Sequence, residues 1–330
     1  ESTTSSAGND VTLATSAGGV QLVKVSVGDL GDVSVSSAAQ IEGDGTGAVE
    51  ITGGGLSLTS VGGVDVDTAV VSISAVTTGS GEVVIEESDG VELKSVVAAD
   101  GSISVSAGGA MVATRVESTT NSAGNDVTLE TSAGGIQLVR VSVGELGDVS
   151  VTSAGAITED GNAATVVSGG GLVLTAVGGI DVDTAVVSIS AVATGAGAVV
   201  IEESDGVNLE SVVAADGSIN VSAGGDMVVT RVESTTSSAG NDVTLETSAG
   251  GVQLVSVSAG ELGDVSVSSA GAITEDGDAA TVVSGGELSL GSVGGIDVDT
   301  AVGTISATAT GAGAIVIEES DGVELKSVMA

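Results

Sequence analysis

Carboxylates are the side chains of this sequence that could do chemistry, because it contains no His, Cys or Tyr. Two of them, Asp65 and Asp67, alternate with valines, so a β-strand would place both on one face, about 6 to 7 Å apart. The turn Glu86-Glu87-Ser88-Asp89-Gly90 brings further carboxylates and free carbonyl groups together. Ca²⁺ prefers several oxygen ligands in such flexible arrangements.

Both clusters return later in the chain, so the predicted Ca²⁺ ligands form three equivalent sets. They are Asp65, Asp67, Asp181, Asp183, Asp297, Asp299, Glu86, Glu87, Asp89, Glu202, Glu203, Asp205, Glu318, Glu319 and Asp321. A third acidic loop, Thr158-Glu159-Asp160-Gly161-Asn162, returns as Thr274-Glu275-Asp276-Gly277-Asp278 and corresponds to Glu42-Gly43-Asp44-Gly45. None of these clusters matches the GGxGxD nonapeptide or the EF-hand loop. The alternative interpretation is a solvated acidic surface that keeps the molecule soluble.

The same residues argue against catalysis. The nucleophile and base pairs of serine and cysteine hydrolases cannot be assembled without His or Cys. Paired carboxylates can cleave polysaccharides, but the Asp65 and Asp67 pair recurs in every copy, whereas an active site is seldom copied into each unit of an array. We therefore expect no enzyme activity and no required cofactor, with Ca²⁺ as the one candidate ion.

The chain is a tandem repeat. The opening ESTTSSAGNDVTL at Glu1 returns with few changes at Glu117 and Glu233, at a constant step of 116 residues. This period divides the chain into repeats at 1–116, 117–232 and an incomplete 233–330. We expect one continuous structure that is a segment of a longer array.

Period-two alternation of aliphatic and polar residues dominates each repeat and predicts short β-strands, as in Val20-Gln21-Leu22-Val23-Lys24-Val25. Gly-rich or acidic turns separate these strands. A β-sandwich usually fills its core with aromatic residues, and this chain has none. A narrow aliphatic core suits stacked coils instead. The sequence therefore predicts an all-β, right-handed parallel β-helix, or β-solenoid. Coils starting near Asp10, Asp32, Gly55, Glu82 and Ser102 give about five coils per repeat.

Composition limits the partners. The net charge of −39 repels nucleic acid and anionic membranes, so we expect neither nucleic-acid binding nor membrane insertion. Because 42% of the residues are hydrophobic, the chain is not a disordered acidic tail.

The segments Gly18 to Ile41, Gly53 to Val70 and Ala99 to Met111 resemble the filamentous-haemagglutinin type of repeat. That family comprises long secreted bacterial adhesins and surface filaments folded as right-handed parallel β-helices. The resemblance implies a secreted, extracellular protein at the cell surface.

These observations lead to three functional hypotheses. The first is a structural rod that forms a surface filament, sheath or adhesin stalk, stiffened by Ca²⁺. Its expected partners are further copies of itself, end to end or side by side, and glycans or other cell surfaces. The second is a tandem array of Ca²⁺-dependent β-sandwich adhesin domains, and the third is a polysaccharide-acting β-helix enzyme.

Overall fold

A computed structural model of the chain describes residues 8–162, 164, 166–277 and 282–330. These residues form strands and turns and contain no helix long and apolar enough to cross a membrane. They divide into two compact units. The first comprises residues up to 162 together with 166–170, and the second comprises 163–165 and 171–330. The repeat boundaries at 116/117 and 232/233 lie inside these units.

The strands are numbered β1 to β33 in chain order. The first unit contains β1 (Val11–Ala14), β2 (Val20–Gln21), β3 (Val25–Ser26), β4 (Asp32–Ser37), β5 (Ile41–Glu42), β6 (Ile51–Ser60), β7 (Val64–Ser80), β8 (Val83–Glu87), β9 (Val91–Asp100), β10 (Ile103–Ala107), β11 (Met111–Ala113), β12 (Val116–Ser118), β13 (Val127–Thr131), β14 (Ile136–Leu138), β15 (Val141–Ser142), β16 (Val149–Ser153) and β17 (Ile157–Thr158). Strand β18 (Val167–Ala176) begins in the first unit and ends in the second.

The second unit continues the same pattern. It contains β19 (Ile180–Ala196), β20 (Val199–Glu203), β21 (Val207–Asp216), β22 (Ile219–Ala223), β23 (Met227–Val229), β24 (Val232–Ser234), β25 (Val243–Thr247), β26 (Val252–Leu254), β27 (Val257–Ser258), β28 (Val265–Ser269), β29 (Ile273–Glu275), β30 (Val283–Ser292), β31 (Ile296–Ala309), β32 (Ile315–Glu319) and β33 (Glu324–Met329).

Within each unit the strands pair in parallel with strands about one coil away, so the predicted parallel β-solenoid is confirmed. The β-sandwich alternative is wrong for this chain, because its two facing sheets would need antiparallel strands.

Two columns of stacked aliphatic side chains form the core of the first unit. The first column contains Val11, Val33, Leu56, Ile73, Leu93, Ala113 and Leu138, each in register with the next. The second contains Val20, Ile41, Val64, Val83, Ile103, Val127 and Val149. From Val33 and from Ile41 onward, every member is at most 3% exposed. Each buried Val, Leu or Ile contributes about 1.5 to 3 kcal/mol, so a core without aromatic rings suffices.

The columns also fix how the sequence repeat maps onto the coils. Val11 lies in the first column, but Val127, its equivalent one repeat later, lies in the second column. One repeat of 116 residues therefore spans five and a half coils, which refines the predicted count of about five.

The half coil that the predicted count left out lies in β7. This strand continues for 17 residues without a turn and carries Val64 of the second column and Ile73 of the first. Of the predicted coil starts, those near Asp10, Asp32 and Gly55 belong to the first column, while those near Glu82 and Ser102 belong to the second. A corner without Gly or another turn residue leaves no signal in the sequence.

Candidate functional site

Two of the predicted acidic clusters lie side by side on the first unit. Asp65 and Asp67 point to the same outer face of β7, and Asp67 is in register with Glu86 on the next coil. The negative charge of Asp67 is the main cause that raises the pKa of Glu86, and burial adds to the effect. The same registers join Asp183 to Glu202 and Asp299 to Glu318. Strand stacking thus builds a patch of adjacent carboxylates in every repeat.

The turn that follows is arranged differently from the prediction, because Glu86 and Glu87 point to opposite faces of β8. Glu87 is only 4% exposed. Its Oε2 atom accepts hydrogen bonds from the Thr68 hydroxyl at 2.8 Å and from the Val70 backbone N–H at 3.0 Å. Its Oε1 atom accepts one from the Asp89 N–H at 3.1 Å. The Glu87 carboxylate therefore ties its own turn to the preceding coil and does not join the outer patch.

Glu203 occupies the same position in the second unit. It is 4% exposed and accepts hydrogen bonds from the Thr184 hydroxyl at 2.8 Å and the Val186 N–H at 3.0 Å. Burial is the largest cause that raises the pKa of both Glu87 and Glu203 above the usual value, and the hydrogen bonds oppose it only in part. Glu319 keeps the Thr300 hydroxyl at 2.7 Å but is half-buried, and its contact with the Val302 N–H lengthens to 3.4 Å.

A shallow acidic groove borders each buried glutamate. In the first unit it has a volume of about 360 Å³, and Asp67, Glu86, Glu130 and Ser106 line it. In the second unit the equivalent groove has about 410 Å³, with Asp183, Glu202, Glu246 and Ser222 in its wall. The two grooves follow the sequence repeat.

The third acidic loop is built around a carboxylate that the sequence analysis missed. Glu50 is 2% exposed, and its two oxygens accept the Asp44 N–H at 3.1 Å and the Asp67 N–H at 2.7 Å. Asp44 forms its own turn by accepting hydrogen bonds from the backbone and hydroxyl of Thr46, and these bonds lower the pKa of Asp44. The loop of the first repeat is thus closed from inside by Glu50.

The later repeats carry the acid of this loop at another position. Val166 and Val282 stand where the first repeat has Glu50, and Glu159 and Glu275 stand where it has Gly43. A side chain on Gly43 would begin 2.3 Å from a carboxylate oxygen of Glu50, so Glu50 would have to move if position 43 carried an acid. Glu275 accepts the Gly277 N–H at 2.8 Å. Asp278, the last residue predicted for this loop, lies outside the described residues.

Across the part of the chain that the structure describes, no group of three Asp or Glu side chains is arranged so that it could hold a metal ion. Glu87 already accepts three hydrogen bonds from the protein, and Glu203 accepts four. Calcium binding by the outer carboxylates stays a prediction.

Comparison with known proteins places this geometry in no family. The chain matches no family model, no curated protein and no solved structure.

The residues that sequence reasoning missed share one property, which is that each acts from inside the coil. Glu50 looks like one more surface acid, and Thr68 looks like one more alternating polar residue. Thr68 belongs to a column that contains Ile51, Thr68, Glu87, Ala107 and Thr131 in register, and three of these five inward positions are polar. The one available signal is that Thr184 and Thr300 repeat Thr68 without change.

Proposed function

We propose that the chain is a structural β-solenoid that serves as a stiff spacer in a filament, sheath or adhesin stalk on a microbial cell surface. The observation that carries this proposal is the pairing of β10 with β13. Ile103 to Ala107 of the first repeat stack on Val127 to Thr131 of the second in one unbroken register. A chain that crosses its repeat boundary without a linker supports a stiff element more than a string of separate binding domains.

The outer surface supports the same proposal. Thr12, Ser34, Ser57, Ser74 and Ser95 stack in register on one face of the first unit. Together with the net charge of −39, this small, polar, acidic surface suits a molecule exposed to solvent along its length. The resemblance to filamentous-haemagglutinin repeats adds the proposal of secretion and a place at the cell surface, with other copies, glycans or other cells as partners.

The spacer proposal is tested by measuring length against repeat number. Chains of two, four and six repeats are imaged by negative-stain electron microscopy. Five and a half coils at about 4.8 Å each predict a gain of about 26 Å per added repeat. A gain near 40 Å per repeat, or no gain because the repeats collapse on each other, would contradict the spacer function.

We further propose that Ca²⁺ stiffens the coils through the outer patches of Asp67 with Glu86 and Asp183 with Glu202. Adjacent like charges repel, as the raised pKa of Glu86 indicates, and a divalent cation would relieve that repulsion. The melting temperature in Ca²⁺ and in a chelator tests this, with Mg²⁺ as the control. An equal melting temperature in all three removes the specific-ion proposal and leaves the solvated acidic surface.

A further inference from the structure

Eight Asp-Gly dipeptides lie within the described residues, and they occupy two kinds of place. In this dipeptide the backbone nitrogen of glycine can attack the aspartyl side chain, because glycine has no side chain to shield that nitrogen. Five lie at coil corners, namely Asp89-Gly90, Asp100-Gly101, Asp205-Gly206, Asp216-Gly217 and Asp321-Gly322. Three lie in the acidic loops, namely Asp44-Gly45, Asp160-Gly161 and Asp276-Gly277.

Asp100-Gly101 shows how a corner restrains this dipeptide. The Asp100 carbonyl accepts the Gly81 N–H at 2.8 Å, and the Asp100 carboxylate accepts the side-chain amide of Asn125 at 3.1 Å. A Cβ atom on Gly101 would meet the Gly81 carbonyl oxygen, so the peptide packs directly on the neighbouring coil. For the Gly101 nitrogen to reach Cγ of Asp100, this peptide would have to turn and break these contacts.

Three further corners are held in the same way. The carbonyl groups of Asp89, Asp205 and Asp216 each accept a backbone N–H group from an adjacent coil, at 2.8 to 2.9 Å. The donors are Gly109, Gly225 and Gly197, in that order. The stacking of coils therefore fixes the orientation of each of these Asp-Gly peptides.

Asp44-Gly45 is free of such restraint. Among the described residues, no backbone N–H donates to the Asp44 carbonyl. Gly45 has a φ of +68° and no atom within 4 Å of its Cβ position. The Thr46 N–H and hydroxyl both donate to Asp44 Oδ1, at 3.0 and 2.6 Å, and so hold the carboxyl group beside the peptide groups that follow it.

The second repeat builds the same arrangement at Asp160-Gly161. The Asn162 N–H donates to Asp160 Oδ1 at 3.1 Å, and the Asn162 side-chain amide donates to Oδ2 at 2.9 Å. Gly161 has a φ of +80°. No described backbone N–H donates to the Asp160 carbonyl either.

We propose that Asp44 and Asp160 are sites of spontaneous conversion to isoaspartate, and that coil stacking protects the corner aspartates. The Gly45 nitrogen attacks Cγ of the protonated Asp44 side chain, and a new N–Cγ bond closes a five-membered succinimide. The nitrogen gives up its proton, and the side-chain hydroxyl leaves with a proton as water. A carboxyl group held beside the attacking nitrogen has part of the required geometry in advance.

Hydrolysis of the succinimide completes the reaction. Water adds to the original backbone carbonyl and breaks its bond to nitrogen, so the main chain now runs through Cβ and Cγ of the former aspartate. One water is lost and one is gained, so the mass of the chain does not change and no co-reactant besides water is needed. The same steps apply to Asp160 and Gly161.

The modification would mark the age of a molecule without dismantling it. The first loop lies between β5 (Ile41–Glu42) and β6 (Ile51–Ser60), outside the two aliphatic columns. One added main-chain carbon in this loop leaves the stacked strands in place. The inference stands apart from the proposed spacer function, because it depends only on the loops and corners.

Mass spectrometry of the 330-residue chain tests the inference. The folded chain is incubated at about pH 5, where carboxyl groups are partly protonated, and a second sample is incubated unfolded in urea. Sampling continues until the unfolded chain has converted measurably. Electron-transfer fragmentation of proteolytic peptides then distinguishes isoaspartate from aspartate at each position.

In the folded chain, we expect conversion at Asp44 and Asp160 to be faster by about tenfold or more than at Asp89, Asp100, Asp205 and Asp216, because a corner must first break its bonds to the next coil. In urea this difference should disappear. Equal rates at loops and corners of the folded chain, or no conversion in either loop, overturns the inference.

The variants Asp44→Asn and Asp89→Asn form a matched pair within the first repeat. Asparagine forms the same succinimide by losing ammonia, and its hydrolysis raises the mass by about 1 Da, so the reaction is read directly and does not require a protonated carboxyl group. The Asp44→Asn chain should gain this mass about tenfold faster than the Asp89→Asn chain when folded, and at the same rate in urea. Equal rates in the folded state would contradict protection by the corner.

Discussion

The acid of the loop after Ile41 comes from two different positions in the three repeats. The first repeat uses Glu50 opposite Gly43, while the later ones pair Glu159 with Val166 and Glu275 with Val282. Glu50 accepts two backbone N–H groups and Glu275 accepts the Gly277 N–H, so each of these two acids supplies a hydrogen-bond acceptor within its own loop.

Because the acid stands at position 50 in one repeat and at the equivalent of position 43 in the others, the effects of Glu50→Val and Gly43→Glu on the unfolding free energy should not add. Glu50→Val alone leaves the N–H groups of Asp44 and Asp67 without their acceptor and should cost about 1 to 3 kcal/mol of unfolding free energy. Gly43→Glu alone places two carboxylates in one space and should also destabilise. The double variant reproduces the later repeats, so urea unfolding should show a favourable coupling of about 0.5 to 3 kcal/mol. Additive losses would show that the two positions do not share one role.

The buried glutamates predict how stability depends on pH. Burial raises the pKa of Glu87 and Glu203 above their unfolded values, so the folded state holds these protons more tightly. Stability should therefore be highest below the unfolded pKa and should fall as the pH rises through the folded pKa. Acidification from neutral pH towards pH 4.5 should raise the melting temperature.

The double variant Glu87→Gln with Glu203→Gln should lose part of this dependence on pH. Glu92→Gln with Glu210→Gln is the matched control, because it removes the same two charges from exposed positions. Calorimetry in chelated buffer measures both. Equal pH profiles for the two double variants would assign the effect to net charge and not to burial.

At the scale of the strand, a glycine is required at a corner where the backbone of the preceding coil leaves no room for a Cβ atom. A Cβ on Gly224 would lie 2.0 Å from the carbonyl oxygen of Ser204 on the preceding coil. Gly291 lies in a strand with no atom within 4 Å of its Cβ position. Packing therefore requires a glycine at Gly224, whereas there is room for a side chain at Gly291.

Gly224→Ala should therefore destabilise by about 1 to 3 kcal/mol, because the corner must move apart. Gly291→Ala should be neutral or stabilise by about 0.4 to 1 kcal/mol, because it restricts only the unfolded chain. Urea unfolding of the two variants compares them directly. A loss of equal size in both would mean that steric contact at the corner is not the cause.

The strand scale also shows what the sequence could predict. Alternation and turn residues identified the β-solenoid, the aliphatic core and the carboxylates that stack outward, because each of these depends on local pattern. The half coil in β7 was missed, since its corner near Ala69 to Val71 contains no turn residue. The inward role of Glu87 was missed as well, because two adjacent acids look alike until the register decides which one faces the core.

At the scale of the molecule, the half coil means that equivalent segments alternate between the two columns. Strand β1 stacks under Val33 and Leu56, whereas β13, its copy, stacks over Ile103 and Val83. Within the first unit, one repeat therefore moves a segment to the other side of the coil. A surface feature that recurs in the second repeat is thus presented on the other side of this unit.

Spin labels within the first unit test this account most directly. The register places Ser104 and Thr128 on adjacent coils, so Ser104→Cys with Thr128→Cys should give strong dipolar broadening in its electron paramagnetic resonance spectrum. Val112 belongs to the other side of the coil, in register with Gln137, so Val112→Cys with Thr128→Cys should give a much narrower spectrum. Five whole coils per repeat would reverse the two results, and separate globular domains would broaden neither spectrum.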